Sequence, residues 1–265
     1  MKYRRWLAFA LALCLMLPLA ACNLKPAAPW PEVLKPGARL VRGSGNVVEV
    51  KTPLSGDAGG FALRMKGISL RTSIHTEVEL VIDESLPREV VVTADDNVAE
   101  CVSVKYDAAT GEITVDMSRS LVISPSRLRI AVGAPVKALD INGAWDFTYD
   151  CPGVRDCGIT VNGACDGECA FGALDSLRVQ VNGASDITLK GAAKRADFTI
   201  NGAADISAFG LAAEDAFVAL HGAGSCELTA TGTLDVEING VGDVTYAGHP
   251  KVSKRIHGVG EVRAK

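Results

Sequence analysis

Aromatic residues make up only 5% of this 265-residue chain, and it has just four histidines. Few rings are therefore available to stack on sugars, Trp145 being the one candidate beside a turn. His75, His221, His249 and His257 supply few general bases. There is no basic surplus either. The 27 Lys+Arg face 31 Asp+Glu, a formal charge of −4, so the electrostatic footprint of a nucleic-acid binder is missing. The apolar run from Trp6 to Leu17 is too short to cross a bilayer as a helix, which takes about 20 residues. The paired C-x2-C spacing of a zinc ribbon is absent as well, and no motif asks for a cofactor or a metal.

That short run has another reading. Lys2, Arg4 and Arg5 precede it, and Leu19-Ala20-Ala21-Cys22 follows it. This is the layout of an export signal, and the tetrapeptide resembles the bacterial lipobox, whose Cys becomes the lipidated first residue. Residues 1–21 are then a lipoprotein signal peptide, and Cys22 carries palmitate. The other reading is an ordinary secretory signal with an incidental Cys22. Removing residues 1–21 takes away three bases and no acid, leaving 24 basic against 31 acidic groups, a charge of −7. Such a chain does not dock on anionic lipid by charge, so a lipid at Cys22 would be its membrane attachment. Asn23 rather than Asp follows, which by the usual sorting tendency points to the bacterial outer membrane. Pro26, Pro29, Pro31 and Pro36 make residues 22–39 a stiff spacer.

What the chain has in abundance is one phrase. VNGASDIT at 181–188 recurs as INGAWDFT, VNGACDGE, INGAADIS, LHGAGSCE, INGVGDVT and IHGVGEVR. Aligned on Asn142, Asn162, Asn182, Asn201, His221, Asn239 and His257, the steps are 20, 20, 19, 20, 18 and 18. Glycine follows every time, at Gly143, Gly163, Gly183, Gly202, Gly222, Gly240 and Gly258. Apolar residues alternate before it, as in Leu139 and Ile141 or Val179 and Val181, and resume after it at Phe147, Ile187, Ile206 and Val244. Period two on both sides of a bend predicts short half-buried strands. Asn-Gly between such runs also suits an antiparallel hairpin meander. The fixed period favours a parallel β-helix with coils of about 18–20 residues. Stacked coils bring like positions within about 4.8 Å, where Asn side chains can form a ladder. The glycines are expected to supply a positive φ at the bend. His221 and His257, replacing Asn, are expected to be turn residues.

Four places after the Asn stands an acid in six copies: Asp146, Asp166, Asp186, Asp205, Asp243 and Glu261, with Ser225 the exception. Such a column invites calcium, but the calcium-binding β-roll repeat is only about nine residues long. Caps on the turn's own backbone N–H groups are the favoured reading. Cys151, Cys157, Cys165 and Cys169 crowd together, and outside the cytoplasm they suggest a local disulfide clip. Cys101 and Cys226 read as buried thiols. The outward rows flanking the bend are Asp140, Thr160, Gln180, Thr199, Ala219, Glu237 and Arg255, then Thr148, Glu168, Thr188, Ser207, Glu227, Thr245 and Arg263. Neither row offers a carboxylate pair or a Ser-His-Asp group.

Residues 40–132 form a strand-rich front half, with alternation at Phe61-Leu63-Met65, Val78-Leu80-Ile82, Val90-Val92, Ile113-Val115-Met117 and Leu128-Ile130-Val132. Residues 133–265 hold the seven coils. The opening VRGSGNV at 41–47 echoes IHGVGEV at 256–262, which suggests that one coil geometry opens and closes the domain. With Gly43-Ser44-Gly45-Asn46-Val47-Val48, the repeated Asn-Gly phrase and the ending YAGHPKV…HGVGEV, residues 40–265 resemble the auto-transporter adhesins with a head GIN domain. These are bacterial exported proteins of unknown function. The resemblance implies a right-handed parallel β-helix in the cell envelope and carries over no catalytic residue. The expected function is a lipid-anchored, non-catalytic surface for adhesion to an envelope protein or glycan. The alternative is a carbohydrate-active β-helix enzyme with its site around 145–175.

Overall fold

Alternation on either side of a recurring glycine builds strands that leave one coil and pair with the next. The computed structural model describes residues 39–41, 45–55, 60–66, 77–117, 120–122 and 127–265. The expected signal at 1–21, Cys22, the spacer up to residue 38, Gly43, Ser44 and His75 lie outside the described residues. Residues Ala38–Lys265 form one unit. It is an all-β solenoid of about six turns.

The front strands are β1 (Arg39–Val41), β2 (Val47–Pro53), β3 (Phe61–Lys66), β4 (Glu77–Asp83), β5 (Glu89–Asp95), β6 (Ser103–Asp107), β7 (Glu112–Asp116), β8 (Ser120–Val122) and β9 (Arg127–Val132), with one helical turn, α1 (Asp96–Ala99), after β5. Apart from a small β1–β8 pair, they extend the stack. β3 and β4 lie against β7 and β9 in parallel. β5 then runs antiparallel to β9, β2 antiparallel to β5, and β6 antiparallel to β7. The Asp107–Glu112 connection between β6 and β7 is a tight turn, with Gly111 at φ 69° and its N–H donating to the Asp107 carbonyl. The echo of the repeat at residues 41–47 lies in part outside the described residues. From Val47 the chain forms the outer strand β2, antiparallel to β5.

The repeats supply β10 (Val136–Asn142), β11 (Ala144–Cys151), β12 (Asp156–Val161), β13 (Ala164–Val181), β14 (Ala184–Ile200), β15 (Ala203–Leu220), β16 (Ala223–Ile238), β17 (Val241–Ala247), β18 (Lys251–Ile256) and β19 (Val262–Ala264). All pair in parallel at one coil's offset, Val161 beside Val181 and Val181 beside Ile200. Coil order departs from chain order where the front half meets the repeats. β10 and β11 stack on β3 and β4, not on β7 and β9, which immediately precede them in sequence.

The core is made of columns. One runs Met65, Ile141, Val161, Val181, Ile200, Leu220, Ile238, all fully buried. Each such side chain removed from water is worth roughly 1.5–3 kcal/mol. Neighbours within a column are fitted to one another. A Cβ on Gly167 would lie 2.3 Å from the Phe147 ring, which fills that space. A second column shrinks steadily in its first five members: Trp145, Cys165, Ser185, Ala204, Gly224 and then Gly242. The Trp145 indole N–H, at its wide end, is buried without an acceptor.

Candidate interaction surface

The bend explains the phrase, although not through the backbone angle expected from sequence. Of the seven glycines after the Asn, only Gly143 has positive φ, at 128°. The others are needed because coils approach closely. A Cβ on Gly163 would meet the Gly143 carbonyl oxygen at 1.6 Å, one on Gly183 the Gly163 oxygen at 1.7 Å, and one on Gly202 the Gly183 oxygen at 1.9 Å. The same carbonyls accept the N–H of the following coil's small residue, Ala164 and Ala184 at 2.9 Å and Ala203 at 2.8 Å. The bend is thus a hydrogen-bonded seam that excludes side chains.

Outside this seam stand the asparagines. The Asn162 Nδ2 donates to Asn142 Oδ1 at 3.0 Å, Asn182 to Asn162 at 2.7 Å and Asn201 to Asn182 at 2.8 Å. Asn142 donates to the Met65 carbonyl at 3.1 Å, which joins the ladder to the front half. His221 takes an Asn position, with its Nδ1 3.1 Å from Asn239 Nδ2. It pairs with the Asn of the following coil, one position beyond the four-asparagine ladder.

The acids also line up, Glu79, Asp146, Asp166, Asp186 and Asp205 lying side by side. They do not cap their own turns. Where a bond forms, the carboxylate reaches the next coil: Asp205 accepts from the Ser225 N–H at 2.8 Å and its hydroxyl at 2.7 Å, and Asp243 accepts from the Glu261 N–H at 2.8 Å. Packing between coils, then the neighbouring Asp166 and Glu79 carboxylates, push the Asp146 carboxyl above its ordinary pKa. Asp186 is raised in the same way, by packing and then by Asp166 and Asp205. Among the described residues, no group of three His, Cys, Asp or Glu side chains is arranged to hold a metal ion.

The four clustered cysteines are buried free thiols, so the expected disulfide clip is not formed in this structure. They occupy inward positions and fill the core. Cys157 Sγ lies 3.5 Å from the Tyr149 hydroxyl, which itself donates to the Val136 carbonyl at 2.5 Å. Burial pushes the thiols of Cys151 and Cys165 up to about 11 and that of Cys157 to about 12, and holds that of Cys169 well above the ordinary thiol range. Thiols so held are protonated and inert at neutral pH.

A third face was not foreseen. Arg155, Asp175, Lys194 and Glu214 succeed one another with alternating sign beside an exposed alanine strip, Ala173, Ala192 and Ala212. Lys194 Nζ lies 2.7 Å from Asp175, Arg155 3.6 Å from it, and Lys194 holds the Asp175 carboxyl below its ordinary pKa. Together they border an open groove of about 280 Å³. The signal was in the spacing, since these residues recur at steps of 20, 19 and 20. The two outward rows expected beside the bend are in register as read. Ala219 alone in them is buried, at 4% exposure.

A family model described as "Putative auto-transporter adhesin, head GIN domain" matches residues 66–250. The chain belongs to this family. Solved structures share the fold at low identity. A "putative adhesin" from Bacteroides fragilis NCTC 9343 is 18% identical with a TM-score of 0.59, over 85% of this chain and all of the other. A "Putative lipid binding protein" from Parabacteroides distasonis ATCC 8503 is 18% identical with a TM-score of 0.57, over 86% of this chain and all of the other. A "putative adhesin" from the same organism is 21% identical with a TM-score of 0.50, over 86% and 100%. These likenesses establish the fold. No curated protein matches the chain. An adhesin family implies an envelope or surface location, and no helix among the described residues is long and apolar enough to cross a membrane.

Proposed function

We propose that this GIN-domain protein is a non-catalytic lipoprotein of the bacterial outer membrane, held by a lipid on Cys22, that presents its solenoid faces to an envelope protein or glycan. The observation that carries this reading is the asparagine ladder. It fixes Asn142, Asn162, Asn182 and Asn201 in one hydrogen-bonded row, beside in-register rows of Thr, Ser, Gln and acidic side chains. Rigid, repeated polar faces of this kind suit contact with a large partner. The buried columns leave the interior filled, which supports action at the surface over a lipid held inside. The spacer at 22–39 would hold the domain away from the membrane.

Two experiments test this. Metabolic labelling with palmitate should mark the wild-type chain and fail on Cys22→Ser; label retained on that variant would sink the anchor. The mature protein should be retained by envelope glycans or proteins without changing them. New reducing ends or unsaturated products from polysaccharide, lost on changing Asp146, Asp166 or Glu168, would establish the enzyme instead.

A further inference from the structure

The two ends of the solenoid are unlike, and each carries what the other lacks. On one face the strands follow the order β2, β5, β9, β4, β11 and onward through β17 to β19. On the other they run β6, β7, β3, β10 and onward to β18. Among the described residues each face therefore ends in an edge strand with one partner at both ends of the molecule.

The final coil is open. Lys254 stands where the coil beneath has Val236 in the core, and Ile256, in a column otherwise fully buried, is 38% exposed. Val241 and Val259 take the place that earlier coils give to alanine, and both are exposed. At the opposite end Val47 and Val50 of β2 are exposed. These five are the exposed large apolar residues among those described. Charge divides in the same way. Residues 251–265 carry Lys251, Lys254, Arg255, Arg263 and Lys265 against Glu261. The opposite end, residues 45–55 and 89–107, carries six acids against Lys51 and Lys105, and Lys51 is drawn to Glu49 and Glu89.

We propose that the basic open end of one chain docks on the acidic end of a second copy, head to tail. Strand directions allow it. Translation along the stack sets β2 parallel beside β19, so that edge gains a partner, while β6, which lies one strand further in than β2, faces β18 across a gap of at least a strand's width. Like ends repel, which disfavours a symmetric dimer and leaves a heterologous contact that can repeat. Lysines on an edge strand ordinarily discourage pairing; here they discourage it with every edge except an acidic one.

The test is sedimentation of the whole chain over a wide concentration range at low and high salt. The expected result is open-ended association that salt weakens. Arg263→Glu and Glu49→Arg should each weaken it by about tenfold, near 1.4 kcal/mol, while their combination in one chain restores it. Val241→Ala with Val259→Ala, which installs the residue used by the inner coils and so preserves the fold, should also weaken it. A chain that stays monomeric throughout, a closed symmetric dimer, or association indifferent to both charge reversals would overturn the proposal. So would a monomer whose basic end binds phosphatidylglycerol vesicles, which would make an anionic lipid surface the partner.

Discussion

The repeat half and the front half build the same columns by opposite means. From β10 onward each strand pairs with the one a coil later, so Val161 meets Val181 after a single turn of chain. In the front half Met65 must find Ile141, and Leu80 must find Phe147. Ile113 meets Leu63 from the other side. The repeat half closes short loops in sequence, whereas the front half has to close long ones before any stacking is gained. Periodicity in a chain is therefore a record of local closure. Where closure is long-range the same geometry leaves no periodic trace.

The comparison breaks most sharply at the seam. Gly183→Val should cost more than about 4 kcal/mol or prevent folding, because its Cβ would lie 1.7 Å from the Gly163 carbonyl oxygen. Soluble yield and a denaturant melt measure this. A stable variant would mean that the coils can spread. Next in size is Leu80→Ala. Leu80 is fully buried beside Phe147, so the loss should be about 2–5 kcal/mol. If the halves fold as one unit, a single transition moves to lower denaturant. Two transitions, with only the first shifted, would show the front half to be a separate element.

The acids give a smaller and opposed pair. Asp205→Ala leaves the Ser225 N–H and hydroxyl without their acceptor and should cost about 1 kcal/mol. Asp186→Asn should stabilise at neutral pH by roughly 0.5 kcal/mol, since like charges side by side oppose folding. The sign follows from the raised pKa of Asp186 in the folded chain. The folded chain takes up the proton first, so wild-type stability gains as pH falls toward the ordinary carboxylate range. Asp186→Asn should flatten that rise, as read from melts across the acid range. Smallest of all, Gly158→Ala should be neutral or slightly stabilising, by up to about 0.5 kcal/mol. A Cβ there meets nothing within 4 Å, so a clear loss would show that glycine in β12 serves something other than space.

The repeat, the inward columns and the asparagine ladder were legible because each is a statement about spacing. The front strands were legible as strands from alternation at Phe61–Met65 or Leu128–Val132, but their partners were not, since nothing local ties β3 to β7. β6 was missed as well. It alternates as Ser103-Val104-Lys105-Tyr106-Asp107 but is only five residues long, and its inward residues Val104 and Tyr106 are only partly buried. At the bend, glycine was anticipated for the wrong reason. Sequence reports that a side chain is unwelcome without reporting whether an angle or a neighbour forbids it. The Asp205 bond to the next coil and the alternating charges at Arg155, Asp175, Lys194 and Glu214 belong to the relation between coils, visible only when the sequence is folded at its period. The core packing of the thiols at Cys151, Cys157, Cys165 and Cys169 gave no signal that set it apart from a disulfide clip.

One column gives every coil an address. The bend positions run from Trp145 through Cys165, Ser185 and Ala204 to Gly224 and Gly242. If the stack slipped by one coil during folding, the backbone bonds would re-form almost unchanged. The slots would not, since the indole of Trp145 would have to enter a space shaped for a thiol, and Ala204 would leave the hydroxyl site of Ser185 empty. Copying a middle coil would interrupt the descending series in the same way. The number and order of turns are thus written in side-chain volume, as the cuts of a key fix which way it enters a lock.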